Sequence, residues 1–223
     1  MCSFRIGIPG PHTVAAIIFR SALDIEGISY TEDRAGKKAD VLFVNMKGHG
    51  NLVAALNNNI TQGIIGAQPY PAVTIDQGIG KLILNLQDVP PAGRWQGHAC
   101  CSMEANGRFL KQRTQVAEKL AELLAAGVHL TRADKELTAT SCSAWLGVDR
   151  SVESVAMASL EYTTEPSAEW KKSVYTYAAT MDRMGMFSGK LAKKRGKEID
   201  PAAFDFSVME KAKANLRKTG VAV

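Results

Sequence analysis

The sequence predicts an α/β domain built on a parallel sheet, followed by a helical region. Three observations carry this. Ile60–Leu86 reads as strand, turn, helix and strand in under about 30 residues, which is one βαβ unit and requires a parallel sheet. Phe4–Ile8 and Val41–Val44 are short, continuously apolar runs, the pattern of strands covered on both faces. From Asn106 onward the apolar residues recur at helical spacing.

Taken in order, Phe4–Ile8 is a strand and Pro9–Gly10–Pro11 a turn. Thr13 is placed to cap a helix over Val14–Ile25 that stops at Gly27. Val14, Ile17, Ile18, Leu23 and Ile25 make that helix apolar on more than one side, so it should be well buried. Ser29–Asp40 is polar and loop-like, Val41–Val44 a strand, Lys47–Gly50 a loop and Asn51–Asn58 a short helix. The pivotal unit follows. Its first strand is Gly63–Ile65, and Gly66–Ala67–Gln68 is a tight turn. Its helix opens on Pro69 or Pro71, where a missing N–H has no helical partner to lose, and ends at Gly78. Lys81–Leu86 is its second strand. Val89–Gly97 is irregular, and Ala99–Met103 reads as one more strand.

Beyond a boundary near Met103–Gly107 the character changes, so residues 1–103 are expected to form an α/β ligand-binding lobe and 104–223 a helical region. Helices are predicted over Arg113–His129, Lys135–Leu146, Val152–Leu160, Ala168–Met184 and Phe206–Lys218, with a basic loop over Gly185–Pro201.

Composition excludes several classes. The 223 residues are 46% apolar and 22% charged, ordinary for a globular chain. The net charge of +5 lies thinly over residues 104–223, and aromatic residues are not interleaved with the basic ones, which speaks against a nucleic-acid partner. Cys2, Cys100, Cys101 and Cys142 form no disulfide framework, so free thiols are expected. No apolar run of about 20 residues is present to span a membrane. MCSFRIGIPG enters a strand without a basic-then-apolar export signal, so the chain as written reads as cytoplasmic or as a piece of something longer.

Three predicted strands each run into a loop of small or polar residues before a helix. These loops are Gly10–Pro11–His12–Thr13, Gly48–His49–Gly50–Asn51 and Gln68–Pro69–Tyr70–Pro71. In a parallel sheet they converge on the carboxyl edge, where ligands bind. Helix starts there offer backbone N–H groups and positive dipole ends, which suit an anionic or strongly hydrogen-bonding ligand. Tyr70 and Trp95 can add flat apolar walls. No nucleophile elbow, HExxH, P-loop or dinucleotide fingerprint is present, and no cofactor is implied. His12, His49, His98 and the Cys100–Cys101 pair are the only metal-like set, and they lack the spacing of a zinc finger, so no metal site is assigned.

Four phrases together resemble a known family. They are RIGIPG, NNNITQGIIGAQPYPAVTIDQGIGKLILNLQDVPP, FLKQRTQVAEKLAELLAAGVHL and MGMFSGKLAKKRGKEIDPAAFDFSVMEKA. They look like the second half of ABC-transporter substrate-binding proteins of the nitrate/sulfonate/taurine class, over about Phe4 to Lys211. The resemblance implies half of a type II periplasmic-binding-protein-like fold, with a first lobe and export signal lacking from the chain as written. It implies a small oxyanion, sulfonate or heteroaromatic ligand, importer membrane subunits as partners, and a periplasmic or membrane-associated location. In that family the position of Gln68 is typically acidic, so this chain departs there. Helices made to cover a missing lobe would expose apolar surface, which points to self-association or to a second chain. Two other readings stand beside this one. One is an enzyme related to those that make the thiamine pyrimidine, using Cys100 and Cys101. The other is a regulatory or structural fragment that binds no small molecule.

Overall fold

The structure is a computed structural model and describes residues 4–33 and 38–221; Cys2 lies outside the described residues. Strand β1 (Phe4–Ile8) runs between β3 (Val41–Asn45) and β4 (Gly63–Ile64), and β2 (Tyr30–Thr31) lies outside β3. Among the described residues the sheet order is β2-β3-β1-β4 with every pairing parallel. The register sets Ile8 beside Asn45 and Gly7 beside Ile64, so the carboxyl ends of β1, β3 and β4 share one edge.

Between these strands come α1 (Val14–Glu26), α2 (Gly50–Asn57) and α3 (Tyr70–Asp76). Helix α1 is buried on two sides, as its pattern required. Ala16 and Leu23 pack with Ile6, Ile8, Val41 and Phe43 of the sheet. Ile17, Ile18 and Ala22 pack with Val89, Trp95 and Tyr177. It ends at Gly27 in the left-handed region (φ 67°), whose N–H reaches Leu23 O. Thr13 occupies the cap position but makes no side-chain cap bond; its hydroxyl donates to Gly10 O instead, at 2.9 Å.

Two predicted strands are not formed. Lys81–Asn85 is irregular, with Ile83 89% exposed and no backbone hydrogen bond to another described residue over 81–84. Its apolar character gives it strand propensity, but a strand needs a ladder partner, and β4 contributes only two residues to the sheet. Ala99–Met103 is likewise irregular, and Cys100–Met103 is exposed. Conversely, the segment read as all loop contains β2, whose Tyr30 is held by edge-on contact with Phe43 at 5.6 Å.

The chain divides into two units. The first is Met1–His98 with Lys172–Phe187, and the second is Ala99–Lys171 with Ser188–Val223. The return segment belongs with the first unit because Tyr177 and Met181 pack in the core around Trp95. This segment is most of α8 (Ala168–Arg183), which the sequence reading grouped with the helical region.

The second unit carries α4 (Gly107–Gln112), α5 (Thr114–Ala133), α6 (Lys135–Leu146), α7 (Arg150–Ala158), α9 (Asp200–Ala203) and α10 (Ser207–Lys218). The short α4 was not anticipated; Asn106 caps it by accepting from Arg108 N at 2.8 Å. Asp134 separates α5 from α6 and caps the latter through Leu137 N at 2.8 Å. Helix α5 packs against α10, where the Asn215 amide donates to Glu122 at 2.9 Å. Among the described residues no helix is long and apolar enough to cross a membrane.

Candidate functional site

The carboxyl edge of the sheet brings the three predicted loops together. Met46 N donates to Ile8 O at 2.9 Å and Gly48 N to Pro9 O at 2.8 Å, so the loops after β1 and β3 are stitched through their backbones. The loop after β4 joins them through side chains. The His49 and Tyr70 rings stack with centroids 5.6 Å apart and planes 21° apart. Gly66 makes this approach possible, because a Cβ there would lie 2.6 Å from Leu52 Cδ1 of α2.

The polar side chains of the loops are largely spent on the loops themselves. The Asn51 amide donates to Met46 O at 2.8 Å, and Gln68 Oε1 accepts from Ala72 N at 3.3 Å in the first turn of α3. The second contact gives Gln68 a local role that an acidic side chain could equally fill. With Thr13 bonded to Gly10, what faces outward is backbone, the exposed His12, and the His49–Tyr70 pair. Partial burial depresses the pKa of His49 below its ordinary value, so its ring is neutral at pH 7.

Trp95 is elsewhere. It is 0% exposed, with its ring 4.9 Å from that of Tyr177, and it serves the core rather than a ligand wall. A tryptophan in a Pro/Gly-rich stretch gave no periodicity from which its burial could be read. His98 is also turned inward: its Nδ1 is 2.9 Å from Trp95 O and its ring lies edge-on to Tyr177. Among the described residues no three His, Cys, Asp or Glu side chains stand together as a metal site. Cys100 and Cys101 are exposed, with sulfurs 3.7 Å apart. Shielding of the Cys100 sulfur from water, and the Cys101 thiol beside it, push its pKa up to about 11. That thiol is protonated at neutral pH and is not an activated nucleophile.

Two residues escaped the sequence reading. Lys47 adopts a left-handed conformation (φ 55°), with its N–H held by Asn45 Oδ1 at 2.9 Å, and places an exposed cation beside the loops. The signal was available in Asn45, a residue suited to such turns. Arg20, buried within an apolar helix, donates to Pro11 O at 3.1 Å, pairs with Glu32, and lies over the Phe43 ring at 5.2 Å. It props the first loop from beneath. Nothing in the apolar periodicity of α1 distinguishes that role from a solvated arginine.

The comparisons with known proteins agree with this architecture. The structure superposes on the 2.0 Å crystal structure of the ligand-binding component of an ABC-type import system from Staphylococcus aureus, determined with zinc bound. The TM-score is 0.67 at 16% identity, covering 95% of this chain and 64% of that one. The fold is therefore periplasmic-binding-protein-like, and the chain spans less than two thirds of that protein's length. Residues 2–146 match the NMT1-like family, and the chain belongs to that family. The curated proteins gave no match.

Proposed function

We propose that this chain is a solute-binding component of an ABC-type importer, and that its three loops bind a small oxyanion, sulfonate or heteroaromatic compound. The observation that carries this is the His49–Tyr70 stack, which draws two loops onto the carboxyl edge of a parallel sheet. Gly10–Thr13 and Gly48–Asn51 lead into α1 and α2, whose first turns bring positive dipole ends to that edge. Lys47 adds a full positive charge. The stacked rings offer a flat face for a heteroaromatic ring or the apolar part of a sulfonate. Binding rather than catalysis fits the high pKa of Cys100. The fold likeness supports the importer role, in which the membrane subunits of the transporter are partners and the protein works in the periplasm or at the membrane surface.

The reading is tested by a thermal-shift screen of oxyanions, sulfonates and heteroaromatic compounds on the full chain. Each hit is then titrated against Tyr70→Ala and Lys47→Gln. A hit that weakens about tenfold or more in Tyr70→Ala supports the site. A hit unaffected by both substitutions places binding elsewhere and overturns it.

A further inference from the structure

Among the described residues one pair of sulfurs is in contact. The Cys101 thiol points at Cys100 Sγ, 3.7 Å away. Both side chains are exposed, although free cysteine is among the most buried of residue types. Cys142, on α6, is half-buried and is joined to neither of them. The pair lies in the second unit, directly after the chain leaves the first at His98. Its segment, Ala99–Met103, carries no helix or strand, so the backbone there can turn without breaking a ladder.

We propose that Cys100 and Cys101 form a reversible disulfide with each other, by exchange with a small disulfide such as oxidised glutathione. The exchange runs in two displacements. The Cys101 thiolate attacks one sulfur of the small disulfide, and a small thiolate leaves with the electron pair of the broken S–S bond. Cys100 then attacks the Cys101 sulfur of the mixed disulfide, and the second small thiolate leaves. Each departing thiolate takes up the proton that a protein thiol has lost. The protein gives up two hydrogens, and the small disulfide becomes two thiols. The order follows from the site. Cys100 is held protonated at neutral pH, so Cys101 starts, and a sulfur 3.7 Å away makes the second step intramolecular. Closure asks the sulfurs to approach by about 1.7 Å, to the ~2.05 Å of a disulfide bond.

The same adjacency makes the bond reversible. Neighbouring Cα atoms stand about 3.8 Å apart, short of the roughly 4.4 Å at which the usual disulfide range begins. A strained and exposed disulfide is readily reduced. The pair therefore follows the surrounding thiol–disulfide balance instead of bracing the fold. Closing the small ring fixes the backbone where the chain enters the second unit. The proposal does not depend on which solute the sheet edge binds, or on whether it binds one.

Intact-mass measurement and peptide mapping of the folded full chain test it, after oxidised glutathione and then after excess reduced glutathione. The wild-type chain and Cys142→Ser should each lose two hydrogens, with the bridge mapped to Cys100 and Cys101, and regain them on reduction. Cys100→Ser should stop at a glutathione adduct on Cys101. Mapping of the wild-type chain decides the question by itself if Cys100→Ser does not fold. A wild-type chain that keeps its four thiols, or that accumulates the adduct without closing the ring, would overturn the proposal. So would a bridge from either thiol to Cys2, to Cys142 or to another chain, a bridge that withstands reduced glutathione, or a folded Cys100→Ser left unmodified.

Discussion

The indole of Trp95 packs on the ring of Tyr177, with centroids 4.9 Å apart and planes inclined by 39°. Tyr177 belongs to α8, more than 80 positions further along the chain, so this contact fastens a late helix to the first unit. Trp95→Ala should therefore cost about 3–5 kcal/mol, the range for a fully buried large aromatic. Urea unfolding measures it. Trp95→Phe keeps part of the packing and should cost less, without changing the affinity of any solute bound at the loops. A loss of affinity at unchanged stability would return Trp95 to the binding surface.

Gly66→Ala puts a methyl group 2.6 Å from Leu52 Cδ1, on a path where α2 cannot retreat without disturbing Leu52 in the core. The expected cost is about 1–3 kcal/mol, typical of overpacking. Leu52→Ala opens that space at its own cost, so the double variant should be less destabilised than the sum of the two. The coupling in a double-mutant cycle isolates the contact. Additive costs would show that Gly66 is not held there by Leu52.

Acidification should destabilise the first unit in the histidine range. Burial lowers the pKa of His98, as it does that of His49, so the unfolded chain binds protons first as pH falls. Stability is complete above the ordinary histidine value of 6.5 and is lost as pH drops from there toward the lower folded values. Urea midpoints between about pH 7.5 and 5 read this window, which lies above the carboxylate range. His98→Gln should flatten the slope. A slope unchanged by His98→Gln and by His49→Gln would contradict the assignment.

Glu153 works in the opposite direction. It is 5% exposed, one carboxylate oxygen has no hydrogen-bond partner, and burial raises its pKa. Its electrostatic neighbours Cys142 and Tyr162 are themselves acids, with pKa values raised in turn. A raised carboxyl subtracts stability as pH climbs from its unfolded value of about 4.5 through its folded one. Glu153→Gln should therefore stabilise the chain at pH 8, by roughly 1 kcal/mol, and change little at pH 4. A loss of stability at pH 8 would mean that the carboxylate has a partner in solution.

The sheet and its helix order were legible because buried parallel strands and two-sided helices leave continuous or periodic apolar patterns. The β1–β3–β4 loops followed from topology alone, and the structure places Gly10–Thr13, Gly48–Asn51 and Gln68–Tyr70 on one edge. What failed was pairing and burial in aperiodic sequence. Lys81–Leu86 has the composition of a strand, but composition does not supply the neighbouring ladder. Trp95 sits in a stretch with no period, so its burial depends on Tyr177, which no local window contains. Arg20 was invisible for the related reason that its partners, Pro11 O and Glu32, lie outside the helix that carries it.

The most direct test of the solute-binding account is native mass spectrometry of the chain purified without added ligand, beside Tyr70→Ala. It reads subunit number and any retained small molecule together. The account predicts a bound mass of a small anionic or heteroaromatic compound on the wild-type chain, and its loss from Tyr70→Ala at unchanged fold. A wild-type chain that carries no such mass, and gains none when the oxyanions, sulfonates and heteroaromatic compounds of the screen are added, would contradict it.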